Sequence, residues 1–363
     1  MRPSTGIAVI VSYFALSIPL LHAEDFSWKN TDTKIMVLYK KQKINQAIEL
    51  AQKSAEKIKA TKGDAHPDFA ACLYRIGYLY QNNNKLNEAE ILLISALQIQ
   101  EKNFGFDHLS IAETLDLLAD GYFLQEKIPL AQSLYRRSLR IREKAFGDSD
   151  IRIVESLDLL ATASPYDESV KLRSRAIAIR ENATEHNDAS LAVALANLGE
   201  IHRLNGNDAE AAPLYLQALK IEEKTYGSMA PRIKNRLVEL ADIYKSLDQY
   251  TLAEPLYIRA LKIEEKNNYK NINFIDFIIN DLVEIYYKQG KYQNAENLLI
   301  RLLTYWDEWK SKNGKTQNQS QRFAIEKLAN VMEKQGRHEE AERLRARSFS
   351  IQPENPGQTI VTK

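Results

Sequence analysis

The sequence predicts an all-α chain, a right-handed superhelical solenoid of paired antiparallel helices. Three observations predict it. Apolar residues recur at intervals of three and four along most of the chain, the period of a half-buried helix. Turn formers are scarce, with Gly 13 and Pro 10 in 363 residues, fewer than strand-rich or glycine-loop folds use. Sequence markers also repeat every 42 residues: Gly63, Gly105 and Gly147 before polar links, and Ala47, Ala89 and Ala131 early in a helix. A fixed period of that size is the signature of a repeat array.

The elements follow in order. Arg2, the apolar run Ile7 to Leu21 and the sequence Leu21-His22-Ala23-Glu24 describe a cleaved secretory signal over 1–23. The same uncharged stretch is just long enough to be a retained membrane anchor, which is the alternative. The array spans 24–348 in about eight repeats. The first, 32–62, is degenerate, with Lys34 and Ile35 where later repeats carry Leu and a small residue. Full repeats follow at 68–104, 110–146, 152–184, 190–226, 232–268, 274–312 and 320–348. In the sixth repeat Leu237, Leu240, Ala241 and Tyr244 form one helical stripe, Leu247 to Tyr250 break it, and Ala253, Leu256, Tyr257 and Ala260 form a second. Small residues at Gly77, Ala119, Ala161, Gly199, Ala241 and Ala329 let the first helix of each pair approach the second. Val283 is bulkier in that slot and predicts looser packing or a different helix angle. The repeat at 152–184 is four residues short, which predicts the shortest first helix, ended by Pro165. Pro213 and Pro255 are expected in the first turn of a second helix, where a missing N–H matters least. Lys310 to Ser320 reads as a polar loop, and 349–363 as a flexible tail.

Chemistry is excluded more than indicated. The single cysteine, Cys72, rules out a disulfide framework and a cysteine-based metal site, and it reads as a packed side chain. Lys plus Arg number 49 against 48 Asp plus Glu, a net charge of +1, which does not suit a nucleic-acid binder. No nucleophile elbow, phosphate loop or His-Glu-x-x-His motif occurs. His66, His108 and His186 fall in links of successive repeats, too far apart to share a metal ion. The chain is therefore expected to be no enzyme and to hold no cofactor or metal.

The residues Leu198-Gly199, Gly206, Ala211, Tyr215, Ala218 and Ile221 to Gly227, with Leu240-Ala241, Ala253 to Tyr257 and Gln289 to Tyr292, resemble the tetratricopeptide repeat in its 42-residue form found in kinesin light chains. With the N-terminal segment, they point to an exported, bacterial-type member. The resemblance implies that His66-Pro67-Asp68 caps and orients the next helix, and that first helices line a concave face. On that register the groove residues are Tyr74, Tyr78, Asp116, Asp120, Phe123, Asp158, Asn197, Glu200, Arg203, Asp242, Lys245, Asn280, Glu284 and Tyr287. In kinesin light chains paired asparagines of the first helices clamp a bound peptide, and only Asn197 and Asn280 match that pattern. A motor role does not fit an export signal.

First helices are acidic and second helices basic, through Arg136, Arg137, Arg140, Arg142, Arg173, Arg175 and Arg180. This fits pairing between helices. It also fits an acidic groove for a basic protein or peptide partner. The expected function is an interaction scaffold or adaptor, periplasmic or secreted, without bulk membrane association once the N-terminal segment is removed. The alternative is an assembly role through self-association.

Overall fold

The computed structural model describes residues 26–183, 188–266, 271–313 and 318–350. They form sixteen α-helices, and no strand occurs among the described residues. Residues 1–25, which include the segment expected to be a signal, and the last thirteen residues lie outside them. The chain divides into two compact units, Met1–Thr184 and Glu185–Lys363. The first contains the pairs α1 (Phe26–Lys40) and α2 (Ile44–Lys62), α3 (Pro67–Asn82) and α4 (Leu86–Phe104), α5 (Leu109–Leu124) and α6 (Ile128–Phe146), α7 (Val154–Ala163) and α8 (Tyr166–Asn182). The second contains α9 (Asp188–Leu204) and α10 (Asp208–Tyr226), α11 (Lys234–Ser246) and α12 (Tyr250–Lys266), α13 (Ile272–Lys288) and α14 (Tyr292–Asn313), α15 (Asn318–Lys334) and α16 (His338–Ser350).

Seven of the eight pairs close through a three-residue turn whose middle residue is left-handed: Gln42, Asn84, Glu126, Gly206, Asp248, Gly290 and Gly336 have φ between 57° and 80°. The links after α2, α4, α6 and α10 start at Gly63, Gly105, Gly147 and Gly227, with φ of 91°, 81°, 93° and 92°, a conformation open to glycine. The next helix is then capped from the link. Nδ1 of His66 accepts the Asp68 N–H at 3.1 Å, and Nδ1 of His108 accepts the Ser110 N–H at 3.2 Å. Asp150 fills the same place with its carboxylate on the Arg152 N–H at 2.9 Å. These bonds satisfy donors that a helix start leaves open.

The shortened repeat behaves as its sequence requires. Its first helix, α7, has ten residues behind a 3-10 turn at Ile151–Ile153. It stops at Ser164, held extended by the proline that follows, and Pro165 leads directly into α8. Four expectations are corrected. Helix α1 begins at Phe26 rather than near residue 32, and Trp28 is buried with it. Pro213 and Pro255 lie inside α10 and α12, not in the first turn, because each left-handed turn ends early and the helix starts at Asp208 or Tyr250. The stretch assigned to a polar loop from Lys310 is helical to Asn313, within the 22-residue α14. Val283 is accommodated at 4% exposure, so of the two expected outcomes looser packing is not seen in burial.

Packing centres on the small slots. A methyl group added at Gly77 would lie 2.8 Å from Leu93, and one at Gly199 2.7 Å from the Tyr215 ring. Leu198, Ala211, Leu240, Ala241, Ala253 and Ala295 are all buried. Cys72 is completely buried, and burial holds its thiol well above the usual range, helped by Asp68 and Asp32. Trp306 is core, and its ring meets Trp309 edge-on at 5.8 Å. No helix among the described residues is long and apolar enough to cross a membrane.

Candidate interaction surface

Each hairpin leaves one face of its first helix uncovered by its own second helix. In the first unit successive first helices touch one another, α1 to α3, α3 to α5 and α5 to α7, and so form the inner side of that stack. Residues at equal offsets from the small slot therefore stand in columns across neighbouring first helices.

In the first unit the predicted groove residues are largely locked into the fold. Tyr74 and Tyr78 are buried. The Tyr78 ring meets Tyr39 edge-on at 5.6 Å, and the Arg75 guanidinium lies 5.7 Å above it. Arg75 is itself held by Asp32, through Nε at 2.5 Å and Nη2 at 2.8 Å. These tyrosines are not free anchors. Asp116, expected to point outward, is buried and paired with Arg142 at 2.7 Å. Asp120 accepts the Tyr135 hydroxyl. Asp158 accepts Arg180 at 2.6 Å and lies 3.7 Å from Arg173. Phe123 is half-buried against the core around Leu157. The physical reason is the sign asymmetry itself: arginines of α6 and α8 reach the acids of α5 and α7, and interhelix pairing consumes charge that a groove would need.

Burial still leaves carboxyls short of cations. Glu113 is pushed up to about 7, first by burial, with Arg142 opposing and Asp116 adding. Asp120 is pushed up to about 7, again by burial, against the Tyr135 hydrogen bond and with Asp116 and Glu155 adding. Asp116 is raised by burial against the pull of Arg142. Glu113 and Glu155 occupy the same column, six residues before Ala119 and Ala161, and neither has an ion pair of its own.

In the second unit the predicted residues form short polar chains. Glu200 accepts both Nε and Nη2 of Arg203 at 2.7 Å and the Tyr215 hydroxyl at 3.0 Å. Asp242 accepts the Tyr257 hydroxyl. Lys245 crosses from α11 to α13, reaching Asp281 at 2.6 Å and Glu284 at 3.4 Å. Asn280 accepts Lys327 of α15 at 2.8 Å. Asn197 is exposed, and Tyr287 is partly open, edge-on to Tyr292 at 5.5 Å. The structure thus brings Lys245, Asn280, Glu284 and Tyr287 together around neighbouring helices, but leaves Asn197 apart from Asn280.

Sequence reasoning missed one column. Val193, Phe277 and Phe323 stand six residues before the small slots of α9, α13 and α15, and are 52%, 47% and 53% exposed. The offset that places Glu113 and Glu155 in the first unit places these apolar side chains in the second. Counting back from Gly199, Val283 and Ala329 would have found them. Between α13 and α15 lies a hollow of about 510 Å³, with Val283 and Val331 among its walls and Glu284, Tyr287, Lys327 and Asn330 around it. Among the described residues no cluster of His, Cys, Asp or Glu could hold a metal ion.

A stack of two-helix repeats with this turn and link chemistry defines a helical-repeat interaction fold. Models of the tetratricopeptide repeat match residues 68–144 and 155–224, 236–267, and 278–306. The chain belongs to the tetratricopeptide-repeat family, with repeats of kinesin-light-chain type. Among solved structures it is similar to nearly identical TPR-like repeats of kinesin-light-chain type from Podosopora anserina, at 23% identity and a TM-score of 0.50, over 55% of this chain and 96% of that one. It is also similar to the C-terminal part of a TPR repeat-containing protein from Cytophaga hutchinsonii, at 13% identity and a TM-score of 0.55, over 75% of this chain and 94% of that one. At these identities the likeness shows the fold alone. No curated protein matches the chain.

Proposed function

We propose that the chain is a non-catalytic scaffold that holds a protein or peptide on the first-helix faces of its units. Membership of a repeat family built for protein–protein interaction supports this reading. The observation that carries it is the exposure of Phe277 and Phe323 at one register position of α13 and α15, with Val193 at the same offset in α9 and Asn235 between them in α11. Three large apolar side chains at one register position gain nothing for the core, and exposed apolar surface of this kind serves recognition. The carboxyls of Glu113 and Glu155 occupy that register in the first unit and suit a partner carrying Lys or Arg. The partner class is thus a basic segment at the first unit and an apolar, aromatic one at the second. Residues 1–23 act as the export signal, with a retained anchor as the other outcome, 24–348 as the array and the remainder as a tail; delivery is to the periplasm or the medium.

Panning a random peptide library on the purified chain tests the reading. Enriched peptides should include an aromatic class and a Lys- or Arg-rich class, and the Phe277→Ser, Phe323→Ser double variant should lose the aromatic class while its melting temperature holds. Equal capture by wild type and variant would overturn the proposal. Self-association abolished by the same substitutions would favour the assembly role instead.

A further inference from the structure

The hollow between α13 and α15 contains an amine in an unusual setting. Lys327 Nζ donates to the neutral Oδ1 of Asn280 at 2.8 Å and lies 4.6 Å from the Phe323 ring centre. The side chain is half-buried, whereas Lys288 and Lys334 at the same hollow are exposed. Lys327 forms no ion pair: of the α13 carboxylates that act on it, Glu284 is engaged by Lys245 at 3.4 Å, Asp281 by the same lysine at 2.6 Å, and Asp276 acts from beyond ion-pair distance. Glu333 of α15 is taken by Arg345.

We propose that Lys327 is a nucleophilic amine that small acyl donors modify in preference to the lysines around it. Three features of the site support this. The hollow of about 510 Å³ admits a small acyl group beside Nζ. The neutral amine can keep one N–H on Asn280 Oδ1, which leaves its lone pair free for the hollow. Burial also holds the ammonium below the usual lysine range. Glu284, Asp276 and Asp281 oppose that shift and Lys245 supports it, but burial outweighs the carboxylates. A half-buried lysine paired to an amide rather than a carboxylate thus has more neutral amine at pH 7 than a solvated one.

The step balances simply. The nitrogen lone pair forms a bond to the acyl carbon, the bond from that carbon to its leaving oxygen or sulfur breaks, and the nitrogen loses a proton to water. The donor class is an activated acyl group, an acyl phosphate or thioester, small enough for the hollow. The amide product is neutral, so modification removes a positive charge from the first-helix face next to Phe323.

Competitive labelling of the full chain tests this. Limiting N-hydroxysuccinimidyl acetate is added at pH values from 6 to 10, and acetylation at each lysine is read by peptide mass mapping. Lys327 should label several-fold faster than Lys288 and Lys334 at pH 7, with the advantage shrinking as pH approaches the ordinary lysine value of about 10.4. Asn280→Asp places a carboxylate beside Nζ and should remove the advantage. The proposal fails if Lys327 labels no faster than the exposed pair at pH 7, or if Asn280→Asp leaves its rate unchanged.

Discussion

The Tyr135 hydroxyl donates to the Asp120 carboxylate fifteen residues earlier, on the other helix of the same hairpin. The same spacing recurs as Tyr215 to Glu200 at 3.0 Å and as Tyr257 to Asp242. Each tyrosine follows the small slot by sixteen residues; the Tyr215 ring packs on Gly199, Tyr135 shares a core cluster with Ala119, and each hydroxyl reaches the acid next to its slot. One residue type thereby secures the hairpin twice, by packing and by a charge-assisted bond. Tyr257→Phe removes only the bond. Because Tyr257 is fully buried and hydrogen bonds to charged groups contribute roughly 1.5–3 kcal/mol, chemical denaturation should show a loss in that range. A neutral result would show that Asp242 is satisfied without its tyrosine.

The pH dependence of the first unit follows from Glu113 and Asp120. Both carboxyls are pushed up to about 7 in the fold, mainly by burial, whereas unfolded carboxyls titrate near about 4. Between those values the folded state holds protons that the unfolded state has lost. Stability should therefore be greatest at the acid end of this window and fall as pH rises through about 7. Asp116 and Glu155 strengthen the effect, and Arg142 opposes it at Glu113. Denaturation midpoints at pH 5 and pH 8 should differ in that direction. Glu113→Gln with Asp120→Asn should flatten the difference, since an amide oxygen can still accept from Tyr135. A midpoint that rises from pH 5 to pH 8 in the wild type would contradict the assignment.

Arg75 and Asp32 form a buried pair that ties α3 to α1, with both side chains 7% exposed. Removing one partner strands the other. Arg75→Met should destabilise by about 3–5 kcal/mol, while Arg75→Met with Asp32→Leu should recover most of that loss, because a packed apolar pair replaces the charges. A double variant as unstable as the single one would mean that Asp32 and Arg75 act mainly through other contacts, such as the Tyr78 ring.

The hairpin order was legible because spacing alone carries it: Gly63, Gly105 and Gly147 mark links, and the short α7 follows from four missing residues and Pro165. The His66 cap was legible through the resemblance of His66-Pro67-Asp68 to the family's link, and His108 repeats it 42 residues on. Three things were not. Gln42, Glu126 and Asp248 take left-handed backbone without being glycine, so the turn has no fixed residue to signal it. The sequence leaves Asp116 and Asp158 open between interhelix pairing and a groove, because an acidic stripe looks the same whether or not arginines from the next helix reach it; Arg142 and Arg180 do reach them. Tyr74 and Tyr78 read as groove residues because helical offset gives direction but not cover; Arg75 and Tyr39 cover the Tyr78 ring, and Tyr74 is buried as well.

The left-handed turn residues offer a test in which side-chain packing takes no part. Gly206 has φ of 79°, and a methyl group added there would meet nothing within 4 Å. Gly206→Ala therefore introduces backbone strain alone, set against the smaller unfolded-state entropy of Ala. Left-handed backbone costs a residue with a Cβ roughly 1–2 kcal/mol, more than the entropy returned, so the variant should lose about 0.5–1 kcal/mol. Glu126 has φ of 60° at the equivalent position of the α5–α6 turn and is exposed. Glu126→Gly should relieve the same strain and gain stability by a similar amount. Opposite signs for the two substitutions, measured by denaturation of the full chain, are the expected outcome. The reverse signs, a gain for Gly206→Ala with a loss for Glu126→Gly, would show that unfolded-state entropy, not backbone strain, governs these turns.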